Sequence, residues 1–269
     1  MKNLIYLIAL LPVFSCNNNS STDKAKTQVM KEETVTYADD STSMKGFVTY
    51  DSNLTGKLPV VLVIHEWWGL NENIRNKARK LASLGYLAFA IDMYGDGKMG
   101  NNPDEAGKLA MPFYQNPTMA KSRFDAAMKT ILSYPQADTT RLTAIGFCFG
   151  GGMVLNMAKM GEPLKGVVSF HGNLAGVPAD KSLLKAKVLV CHGADDQFVK
   201  PEEVALFKKQ MDSIGAEYTF KVYSGATHAF TNPDATRVGQ QFKIPIAYNA
   251  AADSTSWKDM QDFFGKILK

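Results

Sequence analysis

One stretch, Gly146-Phe147-Cys148-Phe149-Gly150-Gly151, restricts the possible folds of this chain more than any other. The residues leading into it, Arg141-Leu142-Thr143-Ala144-Ile145-Gly146, read as a short buried strand, and Met153 to Lys159 reads as a helix. Strand, G-x-C-x-G-G and helix is the layout of a nucleophile elbow with cysteine in place of the usual serine. So sharp a turn strains the backbone of its central residue, and small neighbours let the adjoining chain pass without a Cβ clash. The competing reading is a buried cysteine in a glycine-rich packing turn, because free cysteine is commonly core.

The rest of the chain supplies the sheet that such an elbow needs. Residues 33–50 hold two alternating stretches, around Thr34-Val35-Thr36-Tyr37 and Lys45-Gly46-Phe47-Val48-Thr49-Tyr50, which predicts a hairpin. Apolar strands are expected at 58–65, 86–92, 141–147, 166–171, 188–192 and 218–223. Helices are expected at 71–84, in two pieces between 103 and 134, after the elbow, at 201–214 and at 257–268. Strands that are apolar throughout and alternate with helices specify an α/β fold, a mainly parallel sheet covered on both faces. No repeat or internal linker interrupts the pattern, so residues 33–269 read as a single domain.

The N-terminus reads differently. Lys2 precedes the apolar run Leu4-Ile5-Tyr6-Leu7-Ile8-Ala9-Leu10-Leu11, which is far too short to span a bilayer. It closes with Pro12-Val13-Phe14-Ser15-Cys16, which resembles a bacterial lipoprotein signal with residues 1–15 removed and Cys16 acylated. Residues 16–32 then form a polar tether. The expected product is an exported protein, periplasmic or tethered to the outer membrane, that meets the membrane only through its lipid. The alternative is a plain secretory signal. Three cysteines, Cys16, Cys148 and Cys191, do not form a disulfide framework, and an unpaired Cys148 in an oxidising compartment points to thiol chemistry. The formal charge is +4, with lysines scattered rather than clustered among aromatics, which gives nucleic-acid binding no support.

Ligands in a parallel sheet bind beyond the carboxyl ends of the strands, and His65, His171, His192 and His228 all fall there. An elbow nucleophile is followed in chain order by an acid and then a histidine. The acidic loop Gly193-Ala194-Asp195-Asp196-Gln197-Phe198-Val199 and the later His228 meet that order, so Cys148, Asp196 and His228 form the candidate triad. His228 would withdraw the thiol proton and Asp196 would fix its tautomer. The competing roles are a turn histidine and a helix cap. His65-Glu66-Trp67-Trp68-Gly69 lies where the second oxyanion-hole amide arises, so the N–H groups of Trp67 and Phe149 are nominated. Glu66 is placed to hold or accept the nucleophile's proton. A zinc site through His65-Glu66 fails because its second histidine would fall at Gly69. Gly95-Asp96-Gly97-Lys98-Met99-Gly100 matches a dinucleotide fingerprint, but Asn101-Asn102-Pro103 prolongs the loop where a helix should open. No metal and no cofactor are expected.

His65-Glu66-Trp67-Trp68-Gly69, the cysteine elbow and Gly193–Val199, with Asp92-Met93-Tyr94-Gly95 and His228-Ala229-Phe230, together are similar to the dienelactone hydrolase family of α/β-hydrolases. The resemblance covers about residues 33–268. It implies an eight-stranded sheet and a Cys-Asp-His triad that cleaves esters or lactones through an acyl-thioester. It also implies that Asp196 rather than Asp195 is the acid, and that Glu66 interacts with the resting nucleophile. Trp68, Tyr94, His171 and Phe230 are expected around the substrate pocket. Family members that take dienelactone hold its carboxylate with arginines, whereas Asp96 and Asn232 stand at those places here. That favours a generic ester, lactone or thioester as the small-molecule partner of a monomer or weak dimer. Two other readings compete: a lipoprotein binding module that kept the fold without turnover, and a thiol-redox role for Cys148.

Overall fold

A computed structural model of the chain describes residues 27–39 and 42–269. The chain order is β1 (Met30–Ala38), β2 (Ser43–Asp51), β3 (Leu58–Ile64), α1 (Glu72–Ser83), β4 (Leu87–Ile91), α2 (Pro103–Gln115), α3 (Pro117–Leu132) and β5 (Ala137–Phe147). Then follow α4 (Phe149–Lys159), β6 (Gly166–Phe170), β7 (Lys187–Gly193), α5 (Pro201–Ser213), β8 (Tyr218–Tyr223), α6 (Ala235–Phe242) and α7 (Ala250–Ile267). The strands form one sheet in the order β1-β2-β4-β3-β5-β6-β7-β8. The β1–β2 hairpin joins antiparallel to β4, and every pairing from β4 to β8 is parallel.

Why the sheet is covered on both faces is visible in β3. Val60, Leu62 and Ile64 pack with Phe124 of α3 and Phe149 and Met153 of α4. Val61 and Val63 point the other way, into a core with Ile74 and Leu81 of α1 and Met260 and Phe264 of α7. A strand buried on both faces has no polar side to alternate with, which is why it reads as a continuous apolar run. Among the described residues no helix is long and apolar enough to cross a membrane.

Several elements differ from expectation. Strand β1 starts at Met30, so three residues assigned to the tether belong to the sheet. Helix α4 starts at Phe149 rather than Met153, and Gly150, Gly151 and Gly152 are all helical. Their poor helix propensity is overridden because α4 is buried along its whole length and must approach the sheet closely. A Cβ on Gly146 would overlap the Gly150 carbonyl, and one on Gly150 would overlap the Ile64 carbonyl. Helix α7 starts at Ala250, capped by the Asn249 side chain on Ala252 N–H. Its first two turns bury Ala252 and Ser256 in line with Met260 and Phe264, a small-residue face that sequence periodicity hides. Helix α6 falls in a stretch for which no element was expected.

The glycine-rich run after β4 is a loop that continues to α2, whose N-cap is Asn102. Its amides are spoken for: Asp92 accepts hydrogen bonds from the N–H groups of Tyr94, Gly95 and Gly97. A carboxylate thus fills the place where a phosphate-binding loop would leave an anion site. The signal sequence, Cys16 and most of the tether lie outside the described residues.

Candidate active site

Cys148 sits between β5 and α4 with φ 52° and ψ −114°. An L-residue pays about 1–3 kcal/mol to stay in such a region, so the surroundings must hold it there. The backbone N–H of Cys148 is shared between the Phe170 carbonyl at 3.0 Å and His171 Nδ1 at 3.1 Å. Because Nδ1 accepts, the His171 proton lies on Nε2, which donates to Thr231 Oγ1 at 2.8 Å. Burial holds His171 well below the usual imidazole range, with His228 and Lys77 adding repulsion. It therefore stays neutral behind the elbow.

The loop after β7 turns Asp196 inward. Its Oδ1 accepts from Phe198 N at 2.8 Å and Val199 N at 3.2 Å, and its Oδ2 accepts from His228 Nδ1 at 2.8 Å. Burial would raise this carboxyl, but the His228 bond and charge and the two amides hold it below the usual carboxylate range. Asp195, one residue earlier, is exposed. With Nδ1 committed to Asp196, the other ring nitrogen of His228 is left for the thiol, and His228 lines the same cavity as Cys148. Burial alone would lower the His228 pKa; Cys148 and Asp196 overcome it and lift it to about 10. The arrangement thus favours the imidazolium form of His228 beside Cys148 at neutral pH.

Two further donors belong to residues beside this group: Trp67 lines the same cavity and Phe149 follows Cys148 in the chain. Phe149 is the first residue of α4, so its N–H has no helical acceptor. Among the described residues neither it nor the Trp67 N–H has a hydrogen-bond partner. The two segments are tied together by Gly150 N–H donating to the His65 carbonyl at 3.1 Å. Glu66 is buried, and Asn232 Nδ2 donates to its Oε2 at 2.6 Å. Burial raises its pKa, and Asn232, His228, Lys77 and Asn73 oppose the shift. Among the described residues its side-chain hydrogen bond goes to Asn232, not to Cys148, contrary to the expected resting contact.

Cys148, His228 and Glu66 open onto a cavity of about 250 Å³ walled by Trp67, Trp68, Tyr114 and Phe198, with Met111 and Ile246. The positions 107, 110, 111 and 114 on α2 supply one side at i, i+3, i+4, i+7 spacing. In sequence that stripe is indistinguishable from core packing, which is why the α2 wall was not anticipated. Of the expected pocket residues, Trp68 lines the cavity. Tyr94, His171 and Phe230 are buried behind it: Tyr94 donates its hydroxyl to the Trp67 carbonyl at 2.9 Å, and Phe230 packs on His171 and Tyr223. Asp96 is exposed in the loop after β4, and Asn232 is spent on Glu66. No lysine or arginine lines the cavity, and among the described residues no His, Cys, Asp and Glu cluster is built to hold a metal. Cys191 is buried beneath Tyr223, and burial pushes its thiol up to about 12.

The family model described as the dienelactone hydrolase family matches residues 44–268. A protein described as a putative carboxymethylenebutenolidase of Aquifex aeolicus is 31% identical over 216 residues, which is 78% of this chain and 89% of the relative. One with the same description from Escherichia coli is 31% identical over 227 residues, 78% of this chain and 77% of that protein. Among solved structures, a dienelactone hydrolase-like promiscuous phosphotriesterase from metagenomic libraries superposes with TM-score 0.83 at 32% identity, covering 89% of this chain and 99% of the other. From β2 to the end of α7, in sequence and in architecture alike, the chain belongs to the dienelactone hydrolase family, hydrolases of the α/β-hydrolase fold.

Proposed function

We propose that this enzyme hydrolyses uncharged carboxylic esters or lactones with Cys148 as nucleophile. The observation that carries the reading is the His228 ring, bonded to Asp196 at 2.8 Å and lining one cavity with the strained Cys148 elbow, beside two N–H groups that have no partner among the described residues. The Cys148 sulfur attacks the acyl carbon while the carbonyl π pair moves to oxygen, which the Trp67 and Phe149 N–H groups stabilise as an oxyanion. As the oxyanion collapses, the C–O bond to the alcohol breaks and the His228 imidazolium gives its proton to the leaving alkoxide. In the second half the now neutral His228 takes a proton from water, the hydroxide attacks the thioester, and the thiolate departs with the acid formed. A lactone follows the same course with its alcohol still attached.

In this cycle His228 handles each proton, and Glu66, turned to Asn232, shapes the wall. A carboxyl there offers no attraction to an anion, and no lysine or arginine lines the cavity, so a carboxylate-bearing lactone has no charge-assisted anchor apart from the catalytic His228 itself. The volume of about 250 Å³ lies below the range of about 300–1,000 Å³ typical of ligand pockets, which favours a small acyl group between Trp67, Tyr114 and Phe198. Turnover of a panel of neutral and carboxylate-bearing aryl esters tests this. Neutral esters should be preferred and Cys148→Ala should be inactive; a preference for the anionic esters would refute the substrate class. Ligand-induced stabilisation without any hydrolysis would instead support a binding module. The exported lipoprotein topology, with residues 16–29 as tether, rests on the Lys2 to Cys16 pattern. Loss of membrane association in Cys16→Ser cells is the expected result.

A further inference from the structure

We infer that His65 is a positioning residue of the reaction, the clamp that aims the Trp67 N–H at the developing oxyanion. The inference rests on the reading of Cys148 and the oxyanion pair given above. His65 ends the segment that leaves β3 and is fully buried. Its Nε2 lies 3.3 Å from Met93 N, a group that can only donate, so Nε2 must accept and the ring proton must lie on Nδ1. That proton points at the Glu66 carbonyl, 2.6 Å away. Burial pushes the His65 pKa down to about 4, so the ring is neutral and keeps this single tautomer at neutral pH.

The Glu66 carbonyl belongs to the same peptide unit as the Trp67 N–H. The unit is planar and trans, so fixing the direction of its C=O fixes the N–H to point the opposite way. A hydrogen bond to the carbonyl also polarises the unit and strengthens its N–H as a donor, by about 10–30%. The ring itself cannot turn: it stacks on Phe149, centroids 5.7 Å apart, and meets the edge of Tyr94 at 4.6 Å. Tyr94 in turn holds the next carbonyl, that of Trp67, at 2.9 Å. The His65 carbonyl accepts Gly150 N–H at 3.1 Å, which registers this loop against the residue after the nucleophile. One histidine therefore orients one oxyanion donor and ties it to the helix carrying the other.

The test compares the full-length enzyme with His65→Asn and His65→Gln. The amide nitrogen of asparagine falls near the place of Nδ1 and can still donate to Glu66, whereas that of glutamine falls near Nε2. Two rates are read on Cys148: acylation by a small aryl acetate, which passes through an oxyanion, and alkylation by iodoacetamide, which does not. His65→Gln should acylate about tenfold to hundredfold more slowly, a part of what losing an oxyanion donor costs. Its alkylation should be unchanged, and His65→Asn should recover most of the acylation rate. Equal acylation by His65→Gln and wild type, or equal loss of both rates, would overturn the inference while leaving the hydrolase reading intact. A wild type that does not acylate on Cys148 would instead overturn the hydrolase reading itself. Should His65→Gln fail to fold, 15N NMR of the wild type decides, since an Nε2–H tautomer at His65 is incompatible with the clamp.

Discussion

Replacing Asp196 with asparagine probes the triad without changing its shape. The Oδ1 position is locked by the N–H groups of Phe198 and Val199, so the new amide group must face His228 Nδ1. A donor then meets a donor unless His228 moves its proton to the other nitrogen, where it can no longer receive one from Cys148. The rise of His228 from 6.5 to about 10 corresponds to roughly 5 kcal/mol of preference for the imidazolium over its reference state. Cys148 is the largest single contributor to that rise, and Asp196 supplies much of the remainder. Assigning Asp196 about 2 kcal/mol gives a fall of about thirtyfold in the acylation rate, less than the roughly 10⁴ of a serine triad because the thiol ionises more readily. The assay is stopped-flow acylation by an aryl acetate, with iodoacetamide alkylation followed against pH. Asp196→Asn should slow acylation and move the alkylation inflection to higher pH, while exposed Asp195→Asn should do neither. Equal loss from both substitutions, or an unmoved inflection in Asp196→Asn, would refute the argument.

Other expectations follow from the same geometry. Gly150→Ala drives a Cβ into the Ile64 carbonyl where β3 meets α4, and circular dichroism should show a lowered melting temperature with loss of activity. The low pKa of His65 means that the unfolded chain binds a proton between about 6.5 and 4 that the fold refuses, so this residue's contribution, about 3 kcal/mol, is present above pH 6.5 and lost as pH falls to about 4. Denaturant melts across that range should be flatter in His65→Asn. His228 acts oppositely: with its pKa raised to about 10, its contribution is complete below about 6.5 and disappears as pH rises through 10, a dependence that Cys148→Ala should weaken. Lys77 is buried with its Nζ on the Thr231 carbonyl and Asp253, so Lys77→Ala should cost about 2–3 kcal/mol by urea denaturation.

The parts of this protein that were legible in its sequence are those where one local rule dominates. Continuous apolar strands such as residues 60–64 can only be buried on both faces, and the small residues around Cys148 can only mean a close approach. Chain order paired Asp196 with His228 because it reflects strand order in the sheet. The positions that misled are those where tertiary contact overrides local pattern. Three glycines conceal the first turn of α4, and Ala252 and Ser256 conceal the buried face of α7. Tyr94, His171 and Phe230 lie beside the site in sequence motifs, but their rings face backwards, into the supports of Trp67, Cys148 and His228. Proximity in a motif does not tell which way a side chain turns. Asn232 carries no sequence signal of its role, because an amide becomes a partner for Glu66 only once β3 and the loop after β8 are brought together.

The central claim is that acyl groups pass through the sulfur of Cys148. Rapid mixing with an aryl acetate, acid quench and intact-mass analysis with peptide mapping tests it most directly. The account predicts one acetyl group per chain, on Cys148, labile to hydroxylamine and absent from Cys148→Ala, which should also lose turnover. Undiminished hydrolysis by Cys148→Ala, or an acetyl group on any other residue that kept pace with turnover, would contradict it.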